Sequence, residues 1–314
     1  MKIIALAVFL GLGVGLKLSA LPNQNIPKIQ KKVYQYFTIK DFILKSAQGK
    51  DYKIFLAIPL KNHGKYRVLY MLDGNKQFPM ILNAYEPITN PPLIVAIGYP
   101  GELGYDIVRR TFDYTPKVDG TKIAHSEKFA KGGGAEFFYD FITHTLKPFI
   151  AKHYAIDSEN QTLFGHSFGG LFALYVMFYH PEAFSDYIAA SPSLWWGDGS
   201  FIPQDDDRKI KAKTPSQTPL EKHPPKSITI TIGEYENKPS SSPFTAESLA
   251  KKLSKGGWGV QERQITQSVR ETQETQKTNV CFVKFPGQTH GSSIIYALRI
   301  ALKSFGSTKC ENRF

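Results

Sequence analysis

Gly165-His166-Ser167-Phe168-Gly169-Gly170 follows the apolar run Thr162-Leu163-Phe164 and precedes Leu171-Phe172-Ala173-Leu174-Tyr175-Val176. A strand-like run, a serine between glycines and a helix-like run form the pattern of a nucleophile elbow, in which the serine occupies a strained strand-to-helix turn. The glycines fit that reading. A Cβ at 165 or 169 would meet sharply bent backbone, and Gly170 would let the helix approach the sheet closely. The bare pattern G-x-S-x-G is weak evidence, and an ordinary Gly-rich turn is the alternative. Its flanks give it weight.

Outward from the elbow, short apolar runs alternate with helical patterns. Val33 to Lys40 and Asp51 to Ile58 read as strands with mixed alternation. Arg67 to Leu72 and Pro92 to Ile97 are continuous apolar runs, expected to be buried strands, ending in Asp73-Gly74-Asn75 and Gly98-Tyr99-Pro100. Residues 101–134 read as a loop. A helix is expected from Ala135 to about Lys152, with Phe137, Phe138, Phe141, Ile142, Leu146 and Phe149 on one face and Pro148 as a kink or a new start. After the elbow and its helix come a strand at Tyr187 to Ala190, the segment Ser191-Pro192-Ser193-Leu194-Trp195-Trp196, and a proline-rich polar stretch at 197–226 that reads as a lid. Ser227 to Ile232 is a strand, Thr245 to Ser254 a helix, and 256–279 a polar insertion. Val280 to Phe285 is the last strand, and a helix closes the chain around Ile294 to Phe305. This alternation predicts an α/β fold: one mostly parallel sheet covered on both faces, in a single catalytic domain over 21–314.

The 314 residues suffice for a large core, and 42% hydrophobic and 13% aromatic residues describe a globular chain. A formal charge of +12 admits nucleic acid, an anionic membrane surface or an anionic small substrate as partner. The lysines are scattered and no nucleic-acid-binding motif is present, so nucleic acid is not expected. Lys2, the apolar run Ile3 to Leu16 and the small-residue end at Ser19-Ala20 have the form of a secretory signal peptide over 1–20, cleaved after Ala20 or retained as an anchor. An exported, periplasmic protein is expected, touching membrane only through a retained N-terminal segment. Export would permit a disulfide between the two cysteines, Cys281 and Cys310. No metal-ligand cluster is visible.

In a sheet of this type functional groups collect beyond the carboxyl ends of the strands. A serine hydroxyl needs a base to become a nucleophile, and histidine serves near neutral pH. Of the eight histidines, His290 follows the last predicted strand in a Gly-flanked loop, so it is the expected base for Ser167. Gly233-Glu234-Tyr235-Glu236 offers the orienting acid after the strand beyond the lid. The order Ser167, Glu236, His290 is that of an α/β-hydrolase fold. Glu236 is preferred and Glu234 is the runner-up, with a Ser-His dyad as the remaining possibility. The oxyanion hole would take one backbone N–H from Phe168 and another from the Gly74-Asn75 turn.

Several segments occur in an order that resembles a known family: Tyr70-Met71-Leu72-Asp73-Gly74-Asn75, Gly98-Tyr99, Arg110-Thr111-Phe112-Asp113-Tyr114-Thr115-Pro116, Gly165 to Gly170, Ser191 to Trp196, and the late His290. The chain resembles the esterase-D-like α/β hydrolases over roughly residues 33–305, and within them the periplasmic trilactone siderophore esterases that act on enterobactin and salmochelin. The resemblance implies hydrolysis of the ester backbone of a catecholate siderophore, an anionic small molecule, without a cofactor; any iron travels with the substrate. It also implies that Arg110 contacts a catecholate and that Trp195 or Trp196 lines the pocket. Alternatively, Arg110 pairs with Asp113 and the tryptophans are core. The rival activities are a general carboxylesterase or thioesterase of the S-formylglutathione hydrolase type, and a siderophore-binding module without catalysis. Turnover of enterobactin against a simple acyl ester separates the first, and tight binding without product would mark the second.

Overall fold

The computed structural model describes residues 22–62, 64–118, 132–203, 219–236, 242–256, 258 and 278–305. Among them, eight strands form one sheet in the order β1-β2-β4-β3-β5-β6-β7-β8. They are β1 (Phe37–Lys45), β2 (Asp51–Pro59), β3 (Tyr66–Met71), β4 (Leu93–Gly98), β5 (Ile156–His166), β6 (Asp186–Ala190), β7 (Ser227–Gly233) and β8 (Asn279–Phe285). The β1–β2 and β2–β4 pairs are antiparallel, and every pair from β4 onward to β8 is parallel. This is the mostly parallel α/β-hydrolase sheet.

Strand β3 shows why its sequence is apolar throughout. Val68, Tyr70 and Leu72 enter one core layer and Leu69 and Met71 the other, all essentially inaccessible. A strand covered on both faces needs no polar alternation. The first layer packs the sheet against α5 (Phe168–Tyr179), in which ten of twelve side chains or glycines are buried. The opposite layer holds α1 (Gly74–Asn83) and the C-terminal helix α8 (Ser293–Lys303). Helix α7 (Ala246–Ser254) covers β7 and β8 on the α5 side and begins with a capping box between Thr245 and Ser248. Between α7 and the sheet's sixth strand in sequence lies a short turn of helix, α6 (Pro219–Lys222).

Several elements differ from the sequence expectation. Residues 31–35 form a 3-10 turn, so β1 begins only at Phe37. The segment 101–134 contains α2 (Ile107–Tyr114), started by the Asp106 carboxylate accepting from Arg109 N–H. The helix from Ala135 is α3 (Ala135–Asp140), a π-helical turn (Phe141–Leu146) and α4 (Lys147–His153), with Pro148, the second residue of α4, just after the π-helical turn. Asp73-Gly74-Asn75 is not only a turn; it opens α1. The signal-like segment, half of the lid (204–218) and most of the polar insertion lie outside the described residues. Cys281, on β8, is disulfide-bonded, and the chain's other cysteine, Cys310, also lies outside them. No helix among the described residues is long and apolar enough to cross a membrane.

Candidate active site

Three neighbouring strands end in a non-glycine residue with positive φ: Asp73 after β3 (54°), Ser167 after β5 (61°) and Ser191 after β6 (44°). Such conformations cost about 1–3 kcal/mol each and persist where the surroundings over-determine them. At the elbow those surroundings are visible. Ser167 N–H donates to Ala190 O at 2.9 Å, and Ser167 O accepts from Leu171 and Ser193 N–H. A Cβ on Gly165 would collide with the Gly169 backbone, and one on Gly170 would lie 2.8 Å from Ala190 O. At Gly169 a Cβ would meet only the Leu72 side chain at 3.3 Å, so the expected clash there is confined to Gly165.

Ser167 is the N-cap of α5, which places its side chain above the carboxyl end of the sheet. Its Oγ lies 3.3 Å from the buried Ser193 Oγ. Among the described residues no hydrogen bond joins Ser167 to His290; catalytic contacts often tighten only once substrate is bound. The loop after β8 carries His290 to the elbow nonetheless. The His290 and His166 rings lie 4.8 Å apart, and His166 Nε2 sits 3.0 Å from His290 O. A carbonyl only accepts, so His166 carries its proton on Nε2. Burial, with His290 and Arg110 nearby, holds its pKa far below the ordinary histidine value, so it is neutral.

His290 Nδ1 stands 2.9 Å from Glu236 Oε2. The other oxygen of Glu236 accepts from Ser191 Oγ at 2.7 Å and from Gly233 N–H at 2.6 Å, with Ser293 Oγ 3.4 Å away. Burial opposes ionisation of Glu236, but these bonds outweigh it and keep its pKa below the usual carboxylate value. An ionised acceptor makes His290 Nδ1 the donor and leaves Nε2 free to take a proton. Glu234, the runner-up acid, instead accepts from Gly287 N–H at 2.7 Å.

Two helices begin directly after the strand-end residues Asp73 and Ser167. Phe168 is the first residue of α5, and Gly74 and Asn75 are the first of α1, and the backbone N–H groups of a helix's first turn are directed outward from its start. The Asn75 side chain is fully engaged elsewhere. Its Oδ1 accepts from Tyr99 N–H and its Nδ2 donates to Tyr99 O, both at 2.8 Å, which ties the α1 start to the end of β4. Only backbone from this turn is left for an oxyanion.

A cavity of about 240 Å³ opens beside Glu236 and His290, walled by Ser193, Trp195 and Phe244. Trp195 is therefore the tryptophan at the pocket. Trp196 is 1% exposed, with its Nε1 donating to Pro116 O at 3.0 Å, and belongs to the core beneath Phe168. Arg110 does not reach this cavity or pair with Asp113. Its guanidinium grips Asp73, with Nε–Oδ1 at 2.9 Å and Nη2–Oδ2 at 3.0 Å, and both residues are buried. Asp113 is taken by Tyr52 Oη at 3.1 Å and Lys50 Nζ at 3.6 Å. Ser191, Ser193 and Ser293, which the sequence reading gave no roles, complete the hydrogen bonding of the site. Among the described residues no cluster of His, Cys, Asp and Glu is arranged to hold a metal.

A strained serine at a strand–helix turn, with a glutamate–histidine pair beyond the last two strands, defines a serine hydrolase of the α/β-hydrolase fold. The chain belongs to the Esterase ("Putative esterase") family, whose model matches residues 46–254. It is 32% identical over 222 residues to siderophore triacetylfusarinine C esterase of Aspergillus fumigatus, covering 63% of this chain and 73% of that one. With ferri-bacillibactin esterase BesA of Bacillus subtilis it shares 33% over 202 residues, 60% of this chain and 67% of the relative. The crystal structure of the BES protein from Bacillus cereus superposes with a TM-score of 0.66 at 29% identity, covering 91% of this chain and all of that one. The protein is a carboxylic ester hydrolase.

Proposed function

We propose that this protein hydrolyses the trilactone ester backbone of a catecholate siderophore, metal-free or ferric, and so weakens its hold on iron. The observation that carries the reading is the Glu236–His290 pair beside the strained Ser167, in a chain whose relatives are named as siderophore esterases. Ser167 Oγ attacks the ester carbonyl while its proton passes to His290 Nε2, and Glu236 steadies the imidazolium that forms. The oxyanion receives hydrogen bonds from Phe168 N–H and from Gly74 or Asn75 N–H. Collapse expels the serine alkoxide of the siderophore, which takes the proton from His290. Water then repeats the sequence on the acyl-enzyme and frees Ser167. No cofactor takes part; iron is cargo of the substrate.

The basic balance of the chain and the aromatic wall at Trp195 support an aromatic, anionic substrate. The signal-like segment supports work outside the cytoplasm, in the periplasm, with membrane contact only if that segment is retained. The test is chromatography of the products from metal-free and ferric tricatecholate trilactone, beside a simple acyl ester, with wild type and Ser167→Ala. Linear trimer, dimer and monomer from wild type and none from the variant are expected. Full hydrolysis by Ser167→Ala would overturn the mechanism, and preference for the simple ester would overturn the substrate.

A further inference from the structure

We infer that Arg110 is a positioning residue of the oxyanion hole, acting through Asp73, and not a contact for the substrate's negative charge. Asp73 is the N-cap of α1 and holds a left-handed backbone (φ 54°, ψ 41°) without being glycine. The next two residues, Gly74 and Asn75, present the backbone N–H groups assigned to the oxyanion. A small rotation at Asp73 therefore re-aims those donors.

What fixes Asp73 is mostly Arg110. The guanidinium fork meets both carboxylate oxygens, at 2.9 and 3.0 Å, in the planar two-point geometry that only arginine offers. Gln77 Nε2 adds a third bond to Oδ2 at 3.3 Å, and Tyr114 Oη receives Asp73 N–H at 3.1 Å. The guanidinium lies 5.8 Å from the Tyr105 ring and 5.4 Å from those of Tyr114 and Phe168. The same Nη2 lies 3.5 Å from the carbonyl oxygen of His166, the residue before Ser167. One buried cation thus joins the two strained turns that carry the nucleophile and the oxyanion donors. To bind a substrate anion it would have to leave Asp73 as an unpaired buried carboxylate, a costly state.

The inference rests on Ser167 as nucleophile, and the experiment separates the two. Full-length Arg110→Lys, Asp73→Asn and their double variant are compared on a neutral aryl acetate and on an anionic ferric tricatecholate trilactone, with the rate of Ser167 labelling by a neutral fluorophosphonate. Lysine keeps the charge but loses the fork; Asp73→Asn keeps Arg110 and frees it. Circular dichroism and melting confirm that each variant folds, and Asp73→Asn serves if Arg110→Lys does not. The expected result is a kcat loss of about 10²- to 10³-fold, the size of losing one oxyanion donor. It should be equal on both substrates, with KM within about twofold, slower labelling in proportion, and a double variant no worse than either single one. A KM raised tenfold or more on the anionic substrate alone, or tighter anion binding by Asp73→Asn, would overturn it. Retained hydrolysis by Ser167→Ala would instead remove the reading beneath it.

Discussion

Glu236 Oε2 lies 2.9 Å from His290 Nδ1, yet the two partners stand in different media: the glutamate side chain is 9% exposed and the histidine 51%. The acid is anchored in the protein and the base stands at the solvent edge. Glu236→Gln should therefore lower kcat by roughly 10²- to 10³-fold, less than the ~10⁴-fold seen where acid and base are both enclosed, because water can replace part of the lost acceptor. The pKa of Glu236 is held below its ordinary value of 4.5, so its contribution to stability is complete above that value and is lost as pH falls through the lower, folded-state one. Acid melting curves of wild type should descend in that window, and those of Glu236→Gln should descend less steeply.

The hydroxyl oxygens of Ser193 and Ser167 lie 3.3 Å apart, and either can donate to the other. With Ser167 as donor, that bond opens before Ser167 turns to His290, and a neutral hydrogen bond is worth about 0.5–1.5 kcal/mol. Ser193→Ala should raise acylation by a small ester about 2- to 10-fold, read as the pre-steady-state burst rate. A slower burst would show that Ser193 helps the attack.

His166 holds the base from behind through the His290 carbonyl. His166→Ala leaves that carbonyl with Ser293 Oγ, at 3.0 Å, as its remaining side-chain donor. The loss of one such bond, about 1 kcal/mol, should reach the loop and reduce kcat about 5- to 10-fold with KM little changed. Gln, whose Nε2 can approach the same oxygen, should restore part of it.

Lys147 is an opportunity for stabilisation. Burial pushes its pKa down to about 8, although Nζ donates to Ala183 O and lies 4.5 Å from the Phe184 ring. Between that value and the ordinary 10.5 the unfolded chain binds a proton the folded one lacks. The penalty is therefore full below pH 8 and fades as pH rises through the window, and stability should climb across it. At neutral pH the penalty is about 3 kcal/mol at 1.4 kcal/mol per pH unit, before the bond to Ala183 is counted. Lys147→Met should raise the melting temperature at pH 7 and flatten its rise above pH 8. Unchanged melting would mean the lysine is hydrated in solution.

How much of this was readable beforehand depended on whether a feature is local. The elbow, the long apolar strands, Glu236 and His290 follow from short-range pattern and chain order, because a parallel sheet delivers successive strand ends to one edge. Helix α2 escaped because it is only eight residues long, Ile107 to Tyr114, and charged Arg109, Arg110 and Asp113 interrupt its apolar residues. Helix α1 was hidden by Gly74 and Pro79, residues that signal turns in isolation. The partner of Arg110 was not legible. Asp113 is three residues away on the same helix, whereas Asp73 reaches Arg110 only once β3 and α2 are packed, 37 positions apart. Nor could adjacent Trp195 and Trp196 be told apart until the turn after β6 sent one to the cavity and the other inward.

The three positive-φ strand ends have a consequence for how far this protein can be improved. Glycine would sit at 167 without the steric penalty that serine bears, and would recover about 1 kcal/mol, or a few degrees of melting temperature. Ser167→Gly should therefore melt above the wild type while doing no chemistry. Selection for thermal tolerance alone would discard the nucleophile, so a screen for hardier variants must also demand turnover at every round.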